Sequence, residues 1–260
     1  MYILLKPMKE LQKLTKDQLY KKLKEKSENL YNVAHEALEN NFFDESNLDE
    51  ESLAEFLEML DDETAEKIKD ASLHINNEND VPEIVLIQNE SSSSLELITT
   101  EDEGYKIVLI EDNLDLSEKL FVEDYIILIV TGNIQAKNII INGSLYCSGN
   151  ITSKVLFGAS GNDNETYIGG SIMTSLIAEN GHYTVAEGNI YSRYLISFHN
   201  EIIGKTGKFI ENISIEKPSE IGLLKTEILD EDGYFDEDAF LHFIDSNSPD
   251  ALFNKPANLF

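Results

Sequence analysis

The pattern Gly, small polar, Ile recurs four times at near-constant spacing, and no other feature of this 260-residue chain restricts its fold as strongly. G-N-I-Q-A-K-N-I begins at Gly132, G-N-I-T-S-K-V-L at Gly149, G-S-I-M-T-S-L-I at Gly170 and G-N-I-Y-S-R-Y-L at Gly188. The glycines stand 17, 21 and 18 residues apart. Self-similarity at such a period predicts stacked coils, because one coil cannot bury its apolar side alone and a stack of them can. The third-position Ile and the eighth-position Ile or Leu then point inward and pack on their equivalents above and below. Each such buried aliphatic contributes about 1.5–3 kcal/mol, so four matched layers offset much of the ordering entropy. Glycine permits the tight backbone of one corner, and the small fifth residue fits a second. Asn133, Asn150 and Asn189, with Ser171 in the equivalent place, are expected to form a hydrogen-bonded ladder along the stack. The four extra residues between the second and third glycines fall in F-G-A-S-G-N-D-N-E-T and read as a loop insertion.

The competing readings of these glycines fail on spacing. A dinucleotide fingerprint needs G-x-G-x-x-G opening a helix, and a phosphate loop needs a glycine five residues before Gly204-Lys205-Thr206, where His199 stands. An antiparallel sandwich does not require equivalent positions to match at a fixed offset. The fold class is therefore read as mainly β, a parallel β-helix with an N-terminal α-helical module and a C-terminal capping helix.

Four regions follow from texture. Residues 1–80 read as an acidic helical module: Met8 to Glu39 carries leucines and alanines near 3.6-residue spacing, and further helices are expected from about Asp49 to Leu60 and from Asp62 to Leu73. Residues 81–118 read as connecting strands and linker, with a short strand Glu83–Ile87, with Leu95–Thr99 and Tyr105–Ile110 expected as a strand pair, and with a lead into the central domain as its first, irregular layer as an alternative. Residues 119–210 form the β-helix. Residues 211–260 read as an acidic cap, in which Asp232-Gly233 turns the chain and Asp236 caps a helix bearing Phe240, Phe243 and Ile244. That helix is expected to close the end of the stack.

The net charge of −29 is unevenly spread. Residues 1–30 carry eight Lys against four acids, residues 31–70 carry fourteen acids against two Lys, and residues 121–208 carry seven acids against five bases. An acidic flank repels nucleic acid and anionic membrane and speeds association with a basic partner, although the same acids also serve plain solubility. No apolar run approaches the roughly 20 residues that span a bilayer, and M-Y-I-L-L-K-P is too short for a secretory signal, so the expected location is cytoplasmic. Cys147 stands alone in an apolar run and reads as core filler. The five histidines show no ligand spacing, and the acids around Gly233 miss the calcium-loop pattern, so neither a metal nor a cofactor is expected.

These residues resemble a known group. V-T-G-N-I-Q-A-K-N-I, G-S-L-Y-C-S-G-N-I, E-N-G-H-Y-T-V-A-E-G-N-I and L-D-E-D-G-Y-F-D-E-D-A-F are similar to segments of bactofilin-like, polymer-forming cytoskeletal-like proteins of bacteria, over about residues 105–246. The resemblance implies a short right-handed β-helix, in which a Gly-His element such as Gly181-His182 precedes the last glycine turn. It also implies an association, for some members, with toxin–immunity systems. Here acidic helical modules flank some five coils, whereas bactofilins polymerise through longer, bare-ended stacks.

The expected function is a non-enzymatic binding protein, an immunity protein that neutralises a bacterial toxin, for instance a basic nuclease, by direct contact. Candidate contacts are Asp61, Asp62, Glu63, Asp230, Glu231 and Asp232, each also explicable by capping or solvation. The alternative is a self-assembling scaffold, and a homo-oligomer is left open. A polysaccharide enzyme would need clustered carboxylates on one face, where the repeat offers only Lys137, Lys154 and Arg193 at its sixth position, with Ser175 among them. That row is either a groove for a partner's acids or a set of cations pairing with the protein's own acidic flanks. Arg193 is the single arginine of the chain and the best candidate for a specific bidentate pair.

Overall fold

In the computed structural model, residues 11–43, 64, 67, 82–88, 92–99, 104–161 and 164–254 are described. The four glycine repeats stack in parallel and in register. Ile134, Ile151, Ile172 and Ile190 are mutual partners across neighbouring strands, as are Ile139, Leu156, Ile177 and Leu195. All eight side chains are buried in one continuous apolar core. The corner ladder forms through the backbone: the Asn150 N–H donates to Asn133 Oδ1 (2.8 Å), that of Ser171 to Asn150 Oδ1 (2.8 Å) and that of Asn189 to Ser171 Oγ (3.1 Å). A Cβ on Gly170 would lie 2.5 Å from Asn150 Oδ1, so the ladder itself demands glycine there.

Each long strand serves two faces. In β8 (Ile134–Ile141), β10 (Ile151–Ala159), β12 (Ile172–Asn180) and β14 (Asn189–Ser197), the pairing skips the sixth repeat position: Ser153 pairs Thr174 and Val155 pairs Leu176, with Lys154 and Ser175 unmatched between them. The small fifth residue sits at this bend, where Ser192 and Thr174 donate their hydroxyls to the carbonyls of Tyr194 (2.7 Å) and Leu176 (3.0 Å). A third face is built by β7 (Ile126–Val130), β9 (Ser144–Cys147), β11 (Glu165–Ile168), β13 (Tyr183–Ala186) and β15 (Ile202–Gly204). The coil is thus three-sided, a parallel solenoid of about seven turns.

The stack starts earlier than the repeat. Strands β2 (Glu83–Ile87) and β4 (Lys106–Ile110) continue the third face in parallel register, Ile84 to Ile107 to Ile127. The two strands expected as a pair, near residues 95–99 and 105–110, lie in different sheets: β3 (Leu95–Leu97) pairs with β6 (Lys119–Val122), not with β4. The described residues within 81–118, read as connecting strands and linker, therefore supply the first coils. Asp112-Asn113-Leu114 stands where the later coils have Gly-Asn-Ile. Asp112 takes the left-handed φ of 67°, Asn113 Oδ1 accepts from the Asn133 N–H (2.8 Å), and Leu114 pairs Ile134.

The N-terminal module covers the third face. A single helix over residues 8–39 was the expectation; the chain instead forms a short strand β1 (Gln12–Lys13) antiparallel to β2, then α1 (Lys16–Lys26) and α2 (Glu28–Leu38). Ser27, extended at φ −157°, breaks the helix and accepts from the Leu30 N–H with its hydroxyl (3.2 Å), so it ends one helix and caps the next. Leu19, Leu23, Leu30, Ala34 and Leu38 pack on the outward Ile107, Leu109, Ile129 and Tyr167. A π-helical turn, Glu39–Phe43, follows. The helices expected over 49–60 and 62–73 lie outside the described residues, apart from Thr64 and Lys67, which are helical.

The C-terminal helix α3 (Glu237–Ser246) forms as expected, its Asp236 cap accepting from the Ala239 N–H (2.9 Å). It does not close the end of the stack. The seventh and ninth repeat positions are apolar and outward, and Val155, Phe157, Leu176, Ala178, Tyr194 and Ile196 need cover along the side. Phe240 and Ile244, with Leu224, Ile228, Leu252 and Phe253, provide it. The final coil ends instead with β16 (Gly207–Ile215), whose side chains are mostly exposed and whose Lys208 stands opposite the inward Ile190.

Candidate interaction surface

The sixth-position row lies at the bend between the uncovered face and the capped one. Lys137 pairs with Glu118 (3.1 Å), Lys154 Nζ donates to the Asn247 carbonyl at the end of α3 (3.0 Å), and Arg193 Nη2 pairs with Asp250 (3.1 Å). Asp250 also accepts from the Tyr194 hydroxyl (2.7 Å); this bond, with the nearby guanidinium, holds its carboxyl below the usual range. Tyr194 stacks on Phe253 at 4.5 Å between ring centroids. Lys154 and Arg193 thus fasten the cap to the bend, in keeping with cations that pair with the protein's own acidic flank.

The cap carries the charge that faces solvent. Residues 211–254 hold twelve acids and two Lys. Glu227, Asp230, Glu231, Asp232, Asp238 and Asp245 are exposed. The acidic turn is rigidly built: Asp230 Oδ1 accepts from the N–H groups of Asp232 (3.0 Å) and Tyr234 (2.8 Å), Gly233 takes a φ of 84°, and Leu229 bridges Phe235. Phe235 packs into an aromatic cluster with Phe157, Phe198 and Phe240, at centroid distances of 5.1–6.2 Å. The structure therefore anchors the turn at its base and presents Glu231 and Asp232 at its tip. Asp61, Asp62 and Glu63 lie outside the described residues, so of the acidic candidates it brings together only Asp230, Glu231 and Asp232, and Arg193 stands apart from them at the bend.

The remaining face is uncovered by any described element. Its outward row is the fourth repeat position: Gln135, Thr152, Met173, Tyr191 and, on the last strand, Phe209. The last three are 45%, 46% and 53% exposed, and Tyr191 stacks on Phe209 at 5.2 Å with ring planes 12° apart. The repeat pattern assigns this position no residue type, so the row does not stand out in the sequence. Large apolar side chains at an outward position were the available signal.

Three groups with intrinsic reactivity, Cys147, His182 and Glu179, are shut away. Cys147 is buried with its thiol directed to the Gly132 carbonyl (3.1 Å), and burial pushes that thiol up to about 12. His182 is fully buried at the corner before β13, within 2.9 Å of the Thr166 hydroxyl, and burial lowers it to about 4. Glu179, also fully buried, accepts from the N–H groups of Gly181, His199 and Asn200 and from the Ser197 hydroxyl. Among the described residues no group of His, Cys, Asp and Glu could hold a metal ion, and no helix is long and apolar enough to cross a membrane. No protein-family model, curated protein or solved structure matches the chain.

Proposed function

We propose that the chain is a non-enzymatic binding protein that takes a basic protein partner on its acidic C-terminal cap. The carrying observation is the solvent-facing acidity of residues 211–254, fixed on a packed face and concentrated at the Asp230–Asp232 turn. Fixed like charges accelerate encounter with a cationic surface and make that encounter sensitive to salt. A bacterial toxin whose cationic cleft the cap would cover is the most concrete partner, which makes this an immunity protein of the kind the bactofilin-like resemblance implies. The test is co-elution of the purified protein with the product of the neighbouring gene. Complex formation at low salt, weakened roughly tenfold by the double change Glu231→Lys and Asp232→Lys, is expected; absence of a complex at low salt overturns the reading.

A second reading, the self-assembling scaffold, is favoured by one observation. Strand β16 ends its sheet with no strand beyond it among the described residues. Such an edge presents N–H and C=O groups to a further strand. Filaments in electron micrographs of concentrated protein would support this reading; monomers or small closed oligomers would dismiss it.

A further inference from the structure

Between α2 and the third solenoid face lies a cleft of about 730 Å³, within the range that admits a small ligand or a large inserted side chain. One wall is the end of α2 and the π-helical turn, with Glu36 and Phe42; the other is solenoid, with Tyr105, Tyr146, Asn164 and Glu165. Asn164 and Glu165 belong to the coil that breaks the repeat, where the glycine spacing lengthens to 21 residues. The lengthened coil is held firmly against the cleft floor. Asn164 donates to the Asn142 carbonyl (3.0 Å) and accepts from the Ser144 hydroxyl (3.1 Å), and the Tyr146 hydroxyl donates to Glu165 Oε1 (3.0 Å).

The lining has one sign of charge. Among the described residues its ionisable groups are the carboxylates Glu36 and Glu165 and the phenols of Tyr105 and Tyr146, and no described Lys, Arg or His lines it. Phe42 and Tyr105 stand 4.8 Å apart, with planes inclined at 57°. Ring faces beside a carboxylate attract an organic cation.

The same protein already holds one cation in this way, close by. Lys16 pairs with Glu39 (2.7 Å), lies 4.7 Å from the Phe43 ring centroid, and shares that carboxylate with the Tyr20 hydroxyl, which donates to it (2.7 Å). Glu39 with Tyr20 and Phe43 is matched in the cleft by Glu165 with Tyr146 and by the rings of Phe42 and Tyr105. In the first set a lysine completes the arrangement; in the second no described cation does.

We propose that the cleft binds an alkylammonium or guanidinium group. Its source is either a Lys or Arg side chain of a partner protein or a free polyamine. The cleft lies on a different face from the acidic cap, so its failure would leave the reading of the cap standing, and the reverse holds too.

The experiment is calorimetric titration of the full chain with four probes: Nα-acetyl-lysine methylamide, its neutral norleucine counterpart, spermidine, and a lysine-containing peptide. Saturable binding of the lysine compound, roughly tenfold or more tighter than the norleucine compound, is expected. Glu165→Gln should weaken it by a similar factor. The exposed Glu36→Gln provides a second variant that leaves the packing intact, and it should weaken binding several-fold. Tighter binding of the peptide than of spermidine assigns the site to a partner's side chain; the opposite order assigns it to a polyamine. Equal affinity for the norleucine compound, no saturable binding of any cation, or affinity unchanged in both variants overturns the proposal.

Discussion

Two of the three solenoid faces are covered by the chain's own flanks, and the covers are built on opposite plans. The N-terminal cover joins an apolar seam to ion pairs that reach into the stack: Lys13 to Glu83, Lys22 to Glu111 and Lys26 to Asp112. The C-terminal cover is held mainly by aromatic packing of Phe240, Phe235 and Phe253, and most of its acids point away from the seam. Charge in the first case is paired with carboxylates of the stack, and in the second it is left to solvent. A cover's composition therefore does not reveal its availability; the seam decides it. The described N-terminal lysines offer a partner less than their number suggests, since Lys13, Lys16, Lys22 and Lys26 are paired, and the acidic C-terminus offers more.

The comparison breaks most sharply at the aromatic seam. Phe240→Ala removes a fully buried ring and should cost about 3–5 kcal/mol of stability by urea denaturation. Amide exchange should rise across residues 218–254 first, with α1 and α2 still protected. Equal loss of protection in both covers would show that they stand or fall together.

The next effect belongs to the corner between the two covers, where His182 is buried neutral. Its proton affinity is lowered on folding, to about 4, so between that pH and the ordinary value near 6.5 the unfolded chain binds more protons. Its contribution is present above about pH 6.5 and is lost as pH falls toward 4. Between pH 7.5 and 5 the loss should be about 2 kcal/mol, and His182→Gln should flatten it. Burial pushes the carboxyls of Asp124 and Glu237 up, which works in the opposite direction, so the comparison of the variant with the parent isolates the histidine.

Smaller still is the ladder on the side away from the cap. Asn150→Ala leaves the Ser171 N–H to water at an exposed corner and should cost about 0.5–1.5 kcal/mol. At the ionic seam, Lys22→Met should cost only about 0.2–1 kcal/mol, an effect that fades with added salt. A salt-insensitive loss at Lys22 would mean that its stem packs rather than its charge pairs.

How much of this was legible depended on repetition. The inward Ile residues and the asparagine corner could be read because four coils repeat them in the same order. The first coils could not be read in that way, because Asp112 stands at the position opposite Gly132, and a glycine pattern does not see it. The position of the C-terminal helix was misread for a related reason. The repeat pattern assigns the seventh position no residue type and stops short of the ninth, yet both are apolar in most coils, and that stripe draws the helix to the side of the stack. Asp230–Asp232 were legible as a turn, while the cleft was not, since its walls come from segments more than sixty residues apart. The uncovered Met173, Tyr191 and Phe209 row falls at a position to which the repeat pattern assigns no residue type.

The ladder from Asn113 to Asn189 also bears on how the chain assembles. Parallel coils add slowly, because each must close a loop before it gains contacts. A coil that docks one residue out of step would turn its inward Ile to water and, in the same slip, bring a side chain instead of glycine against the amide oxygen below. Both penalties fall on the same event, one on the face and one on the corner. The ladder therefore favours the in-register coil over a slipped one at two places at once.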